Sequence, residues 1–428
     1  MIAARSVTTL ITGLVVLALS AAPSTAAKSQ VREIGFHGWT SSADFLAGTR
    51  AGTTVADDAL TFGSATGSTS YVDPFGDGTA KTYEQASWTS PEVRPGFALT
   101  ELVASWNATT PPGTWIEVAM SGHSDQGKTT KWYVLGRWNK GDDTAAGDIH
   151  RTSVSGQRDT VGDVSVDTFV ARSGRSLDRW RLKVTLYRLA GTTSAPVLRS
   201  VGAMASHLPS DATVPVSPSG GAWGQVLNVP TYSQETHIGQ YPQWDGGGEA
   251  WCSATSTAMV LDYYGAGPTP AETAWVDPTY ADPQVDHSAR SVFDYDYDGA
   301  GNWPFNTAYA GTRGLDAFVT RLRSLTEAEQ FIKAGIPLVA SLSFTKDELP
   351  GAGYGTNGHL MVIVGFTPTG DVVVNDPASH LIKSNDQVRT TYNRQAFENA
   401  WIPHSGGIVY VIHPTSTPLP PHPVQANW

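Results

Sequence analysis

One cysteine, Cys252, serves a chain of 428 residues whose first 27 read as a secretory signal. Arg5 supplies a charged start, Val7 to Leu19 an apolar stretch, and Ser24-Thr25-Ala26-Ala27 small residues for cleavage. The apolar stretch is shorter than the ~20 residues of a membrane span, and no later segment is apolar enough for one. The mature chain is therefore expected to begin near Lys28, secreted and extracellular, with no membrane span. A secreted chain normally pairs its thiols. Here no internal disulfide and no cysteine-based zinc site can form. The odd thiol is a buried passenger, an intermolecular link or a reactive nucleophile, and its neighbourhood must decide.

The length suggests two or three domains. Hydrophobic residues make up 40% and charged residues 16%, with 43 Gly and 27 Pro. This is the profile of a globular chain rich in loops and strands. The net charge of −11 excludes a nucleic-acid partner, since nothing would neutralise a phosphate backbone.

Residues 28–206 read as an all-β sandwich or jelly roll. In Trp180 to Arg188, apolar Trp180, Leu182, Val184 and Leu186 alternate with mostly polar neighbours, the period of a strand with one buried face. Trp115–Met120 and Lys131–Trp138 are further strand-like runs. Residues 207–222, rich in Pro, Ser and Gly, read as a linker, and the proline-rich 414–428 as a tail. Residues 223–413 read as α+β. A helix is expected over Ser253–Tyr264, and a second behind a Thr326-Glu-Ala-Glu329 capping box. Strands are expected at Pro337–Phe344, His359–Phe366, Val372–Asn375 and Ile408–Ile412.

Three glycines, Gly246-Gly-Gly248, precede Cys252 and resist a helix, so the chain enters the helix at about the cysteine itself. A sulfur there meets free N–H groups and the positive end of the dipole, which favour the thiolate a nucleophile needs. A base is at hand in Gly358-His359, which opens an apolar strand. That strand turns through Thr367 to Gly370 into Asp371-Val-Val-Val-Asn-Asp-Pro377. A two- or four-residue loop sets Asp376 opposite Met361 and diagonal to His359, within the ~7–8 Å that long side chains bridge. A three-residue loop shifts the parity and presents Asn375. Either side chain can orient an imidazole. The roles read as Cys252 nucleophile, His359 base then acid, and Asp376 orienter. No metal or cofactor is called for, and neither a His-Glu-x-x-His nor a Gly-x-Ser-x-Gly motif is present.

This arrangement resembles the papain-like cysteine peptidases, and more narrowly their double-glycine-peptidase-like (C39-like) branch. Val229-Pro-Thr-Tyr-Ser-Gln234 and Met259-Val-Leu-Asp-Tyr-Tyr-Gly265 are similar to that branch's pattern, and the likeness covers about residues 225–413. It implies a papain-like cysteine peptidase domain, a peptide or protein substrate, and Gln234 as an oxyanion-hole donor beside the Cys252 N–H. Two departures stand out. Cys252-Ser-Ala replaces the usual Cys-Gly-Pro, and a Gly-rich insert between Gln234 and Cys252 makes Gln243 an alternative donor. Family members fused to transporters process leader peptides; with a signal and no transporter, this chain does not inherit that substrate.

Asp294-Tyr-Asp-Tyr-Asp-Gly299 imitates half of a calcium loop, but Phe305 stands at the twelfth position, so an acidic loop lining the cleft is the favoured reading. Asn302-Trp-Pro-Phe305 beside it is either an aromatic wall or packing. Seven Trp in the β half are either core or faces for stacking on sugar rings, with core favoured. The expectation is a secreted cysteine peptidase. One alternative is a cell-wall peptide or amide hydrolase anchored to cell-wall polysaccharide by its β domain. The other is an inactive carbohydrate- or protein-binding protein.

Overall fold

The computed structural model describes residues 31–428; the expected signal, 1–27, lies outside them. Among the described residues no helix is long and apolar enough to cross a membrane. The first half holds two antiparallel sheets. One carries Gly162–Ser165, Thr168–Ala171, Glu101–Thr109 and Val197–His207, with Glu33–Trp39 and the hairpin Thr53–Ala56/Ala59–Phe62 along the last strand. The other orders Thr49–Ala51, Ala80–Thr89, Leu177–Leu189, Thr114–Ser124 and Tyr133–Trp138, with Gly67–Val72 also on Ala80–Thr89. The expected alternation is there: Trp180, Leu182, Val184 and Leu186 are buried. Trp39 of one sheet meets Trp88 and Trp180 of the other edge-on, at 5.5 and 5.8 Å. Six of the seven tryptophans are buried; the seventh, Trp132, is half-buried under Arg181 and Lys183. They are core and its cover, as the strand periodicity implies.

The second half centres on a six-stranded antiparallel sheet, in the order Asp316–Arg321, Ile408–His413, Leu338–Phe344, Thr356–Phe366, Val372–Asn375, Arg389–Tyr392. Helix Cys252–Tyr263 packs on it, with Pro283–Val292, Trp303–Thr312, Leu325–Lys333 and Arg394–Ser405 around. The class is α+β, dominated by sheet. Its edge strand Asp316–Arg321 lies along Glu101–Thr109 of the first half. Asn107 donates to the Ala317 carbonyl (2.8 Å), Val319 N–H donates to Ser105 (3.2 Å), and Arg321 pairs with Glu101 (2.6 Å). Phe305 is fully buried between Trp106 and Trp138. Arg32–Trp428 thus form one compact unit.

The expected capping box does not form. Ser324 is the N-cap of Leu325–Lys333, and Thr326 lies inside the helix. Glu329 instead turns to the segment 207–222 and its exit, accepting from Gly220 N (2.7 Å), Ala222 N (2.9 Å) and Trp223 Nε1 (3.1 Å), with Arg394 at 2.9 Å. Four donors around one buried carboxylate outweigh a single cap bond. The segment 414–428 has no helix or strand, yet it is held: Phe36 N–H donates to Ala426 O, Asn427 donates to Arg321 O, and Trp428 packs on Phe331.

Candidate active site

Gly246 and Gly247 take positive φ, 74° and 116°, where a side chain would be strained. One 3-10 turn, Gly248–Ala250, follows, and the α-helix starts at Cys252. Trp251 anchors this entry, fully buried with its indole N–H on Trp244 O (2.7 Å). No side chain caps the helix N-terminus, so the first N–H groups, that of Cys252 included, remain available. Ser256 donates to Leu360 O (3.1 Å) and Ser253 bonds Tyr410 (2.9 Å), fixing the helix against the sheet one residue from His359.

The hairpin reaches the expected pairing by an unexpected route. Thr367 N–H donates to Asp371 O (2.9 Å), which makes the loop three residues long, not two or four, with Gly370 at φ 90°. That parity would present Asn375. A bulge between Ile363 and Gly365 restores it, so Val362 pairs with Asn375. The Val364 carbonyl freed there accepts Leu227 N–H (2.8 Å) from the incoming chain. Asn375 therefore points elsewhere and donates to Pro230 O (2.9 Å).

Asp376 meets His359, whose Nε2 is 2.8 Å from its Oδ1, and both are buried. Tyr392 donates to Asp376 Oδ2 (2.7 Å), Tyr354 bridges both oxygens (3.0 and 2.9 Å), and Ala378 N–H donates to Oδ1 (3.0 Å). Burial would raise the Asp376 carboxyl, but His359, Tyr392 and Tyr354 hold it below its ordinary value. Burial alone would lower the His359 imidazole; the Asp376 carboxylate and the neighbouring Cys252 thiol outweigh it and push it up to about 10. An imidazole so held is a cation at neutral pH. With Nε2 on Asp376, its other nitrogen is left for the cysteine.

Cys252, half-buried, and His359 line a cleft of about 820 Å³ with Gln234, Tyr297, Trp303 and Tyr354. Gln234 is buried, with Nε2 on Glu249 O (2.7 Å) and one amide hydrogen to spare. Gln243 is exposed and outside the cleft lining. Of the acidic loop, Tyr297 lines the cleft. Asp294 accepts from Ser153 N (2.9 Å) and Asn302 (2.8 Å), and Asp296 from Ser155 N (2.9 Å). Those carboxylates are tied to the first half, and no His, Cys, Asp and Glu cluster able to hold a metal occurs among the described residues. Asn302-Trp-Pro-Phe305 divides its tasks: Trp303 lines the cleft, and Phe305 packs the core.

Tyr354 and Tyr392 escape sequence reasoning. Tyr354 sits in a glycine-rich loop and Tyr392 in a four-residue strand; neither has a periodic pattern around it. The signal at hand was chemical: a buried Asp needs several donors.

Cys252 and His359 thus meet in one cleft, with Asp376 buried behind the imidazole. Residues 35–206 match the Peptidase C39 N-terminal domain and residues 226–408 the Peptidase_C39 like family. The chain belongs to the C39-like peptidases. Among solved structures it is similar to a protein described as a C39-like peptidase from Bacillus anthracis, at 21% identity over 44% of this chain and 96% of that one, with a TM-score of 0.26. It is also similar to a family two carbohydrate esterase from Cellvibrio japonicus (17% identity, 54% of this chain, 50% of that one, TM-score 0.18). A third is the CBM22-1–GH10 part of xylanase 10B from Clostridium thermocellum (12%, 46% and 33%, TM-score 0.18). A comparison with curated proteins finds no match.

Proposed function

We propose that the mature chain is a secreted cysteine peptidase, a papain-like α+β half following an N-terminal β-sandwich. Cys252 is its nucleophile, His359 its base and acid, Asp376 the orienting group and Gln234 an oxyanion donor. The observation that carries this reading is the convergence of Cys252 at a free helix N-terminus with a buried, Asp376-bound His359 in one cleft.

The proton of the thiol–imidazole pair rests on His359, and the Cys252 thiolate attacks the carbonyl carbon of the scissile bond. The new oxyanion lies between the Cys252 N–H and the spare Gln234 amide hydrogen. Collapse breaks the C–N bond, His359 gives its proton to the leaving amine, and a thioester remains. His359 then deprotonates a water, which adds to the thioester carbon. The C–S bond breaks, the acid leaves, and the thiolate is left beside the reprotonated His359.

The test is hydrolysis of casein and of peptidoglycan by wild type and Cys252→Ala. Fragments from casein that need the thiol support the peptidase reading. Fragments from peptidoglycan alone would move the activity to wall peptides or amides, and turnover of neither would leave a binding protein.

A further inference from the structure

Apart from the His359 imidazolium, the cleft around Cys252 carries its charge on acidic side chains. Glu235, Asp245 and Glu249 line it, and no Lys or Arg does. Two of the three have a settled place: Asp245 accepts Ala300 N–H (2.9 Å), and Glu249 is exposed to water. Glu235 is different. It is only 5% exposed, and its carboxylate makes no hydrogen bond or ion pair with any described residue. Its oxygens are not sealed from the cleft, and a carboxylate on so buried a residue ordinarily has a partner there. Burial, then Glu249, push its carboxyl above the ordinary range, with Asp376 adding to them; His359 and Lys383 act the other way. The His359 charge is already engaged by Asp376, and Lys383 is exposed and forms no ion pair with Glu235.

Glu235 directly follows Gln234 in the turn Gln234–His237, so its charge lies beside the site of the oxyanion. Tyr297, 48% exposed in the same cleft, offers an aromatic face to an aliphatic stem ending in a cation. Building on the peptidase reading above, we infer that this cleft selects peptides with an amine- or guanidinium-bearing side chain beside the scissile bond, and that Glu235 receives that cation. The net charge of −11 would gather such substrates from a distance.

The experiment compares kcat/KM for matched peptides that differ only in lysine against norleucine, placed in turn on each side of the bond. Their sequence comes from sites cleaved in casein. Lysine is expected to be preferred at one position by at least about tenfold, the size of a charge-assisted bond. Glu235→Gln should bring the ratio to within about twofold of unity. Should that variant not fold, wild type alone decides. Titrations of Cys252 and His359 are common to both peptides and cancel in the ratio, so it should fall as acid protonates Glu235 and as salt is raised. A ratio near unity at every position, or one indifferent to pH and salt, overturns the inference while leaving the peptidase intact. Failure to cleave either peptide or casein would instead remove the peptidase reading.

Discussion

Gly248→Ala separates the oxyanion site from the thiol–imidazole pair. Gly248 has an ordinary φ, so the effect is steric and not conformational. A methyl group there would lie 2.3 Å from the His237 carbonyl carbon, 2.4 Å from Gln234 O and 2.6 Å from His237 Cβ. Ordinary carbon contacts are ~3.5 Å, so the turn Gln234–His237 must retreat by roughly 1 Å. The folding cost of such overpacking is about 1–3 kcal/mol. A catalytic donor displaced by ~1 Å loses on the order of 100-fold in rate, near the ~10²–10³ of deleting one oxyanion donor outright. The assay is kcat on a casein-derived peptide, read beside the rate of iodoacetamide labelling of Cys252. We expect kcat to fall about 100-fold with labelling unchanged, since helix Cys252–Tyr263 and the sheet hold the thiol and imidazole. A folded variant with wild-type kcat, or one whose labelling collapses together with kcat, would refute the reasoning.

Tyr392→Phe leaves the buried Asp376 one donor short and should cost about 1–3 kcal/mol, seen as a lower urea midpoint. The raised His359 pKa contributes stability that is complete below its ordinary 6.5 and lost as pH rises through about 10; urea midpoints should fall across that window, and less so in His359→Ala. Glu329→Ala strips the clamp from Gly220, Ala222 and Trp223 and leaves Arg394 buried beside the gap. A loss of about 3–5 kcal/mol is expected by thermal melting.

Where pattern and chemistry agree, the residues themselves announce the structure. Three glycines and a cysteine start the helix at Cys252, and apolar runs mark the strands around His359 to within a few residues. Asp376 was found by parity, but the parity rests on two compensating irregularities, a three-residue loop and the Val364 bulge. Nothing in the local sequence encodes a bulge whose carbonyl is used by Leu227, more than a hundred residues earlier. Glu329 satisfied a local capping rule and was taken by a distant segment instead. Helices Pro283–Val292, Trp303–Thr312 and Arg394–Ser405 had legible starts in Asp282-Pro283, Asn302 with Pro304, and Asn393. Trp303–Thr312 and Arg394–Ser405 lack a clear apolar stripe, and the regular face of Pro283–Val292 is only Val285, Ala289 and Val292. Tyr354 and Tyr392 became meaningful only once the fold placed Asp376 between them.

The central claim is that Cys252 and His359 act as one unit, and the single thiol makes it directly measurable. The rate of iodoacetamide alkylation is followed from pH 4 to 10 in wild type and in His359→Ala. Rapid labelling below pH 7 that His359→Ala abolishes is the predicted result. Labelling that rises only near the ~8.5 of a free thiol, identically in both proteins, would contradict it.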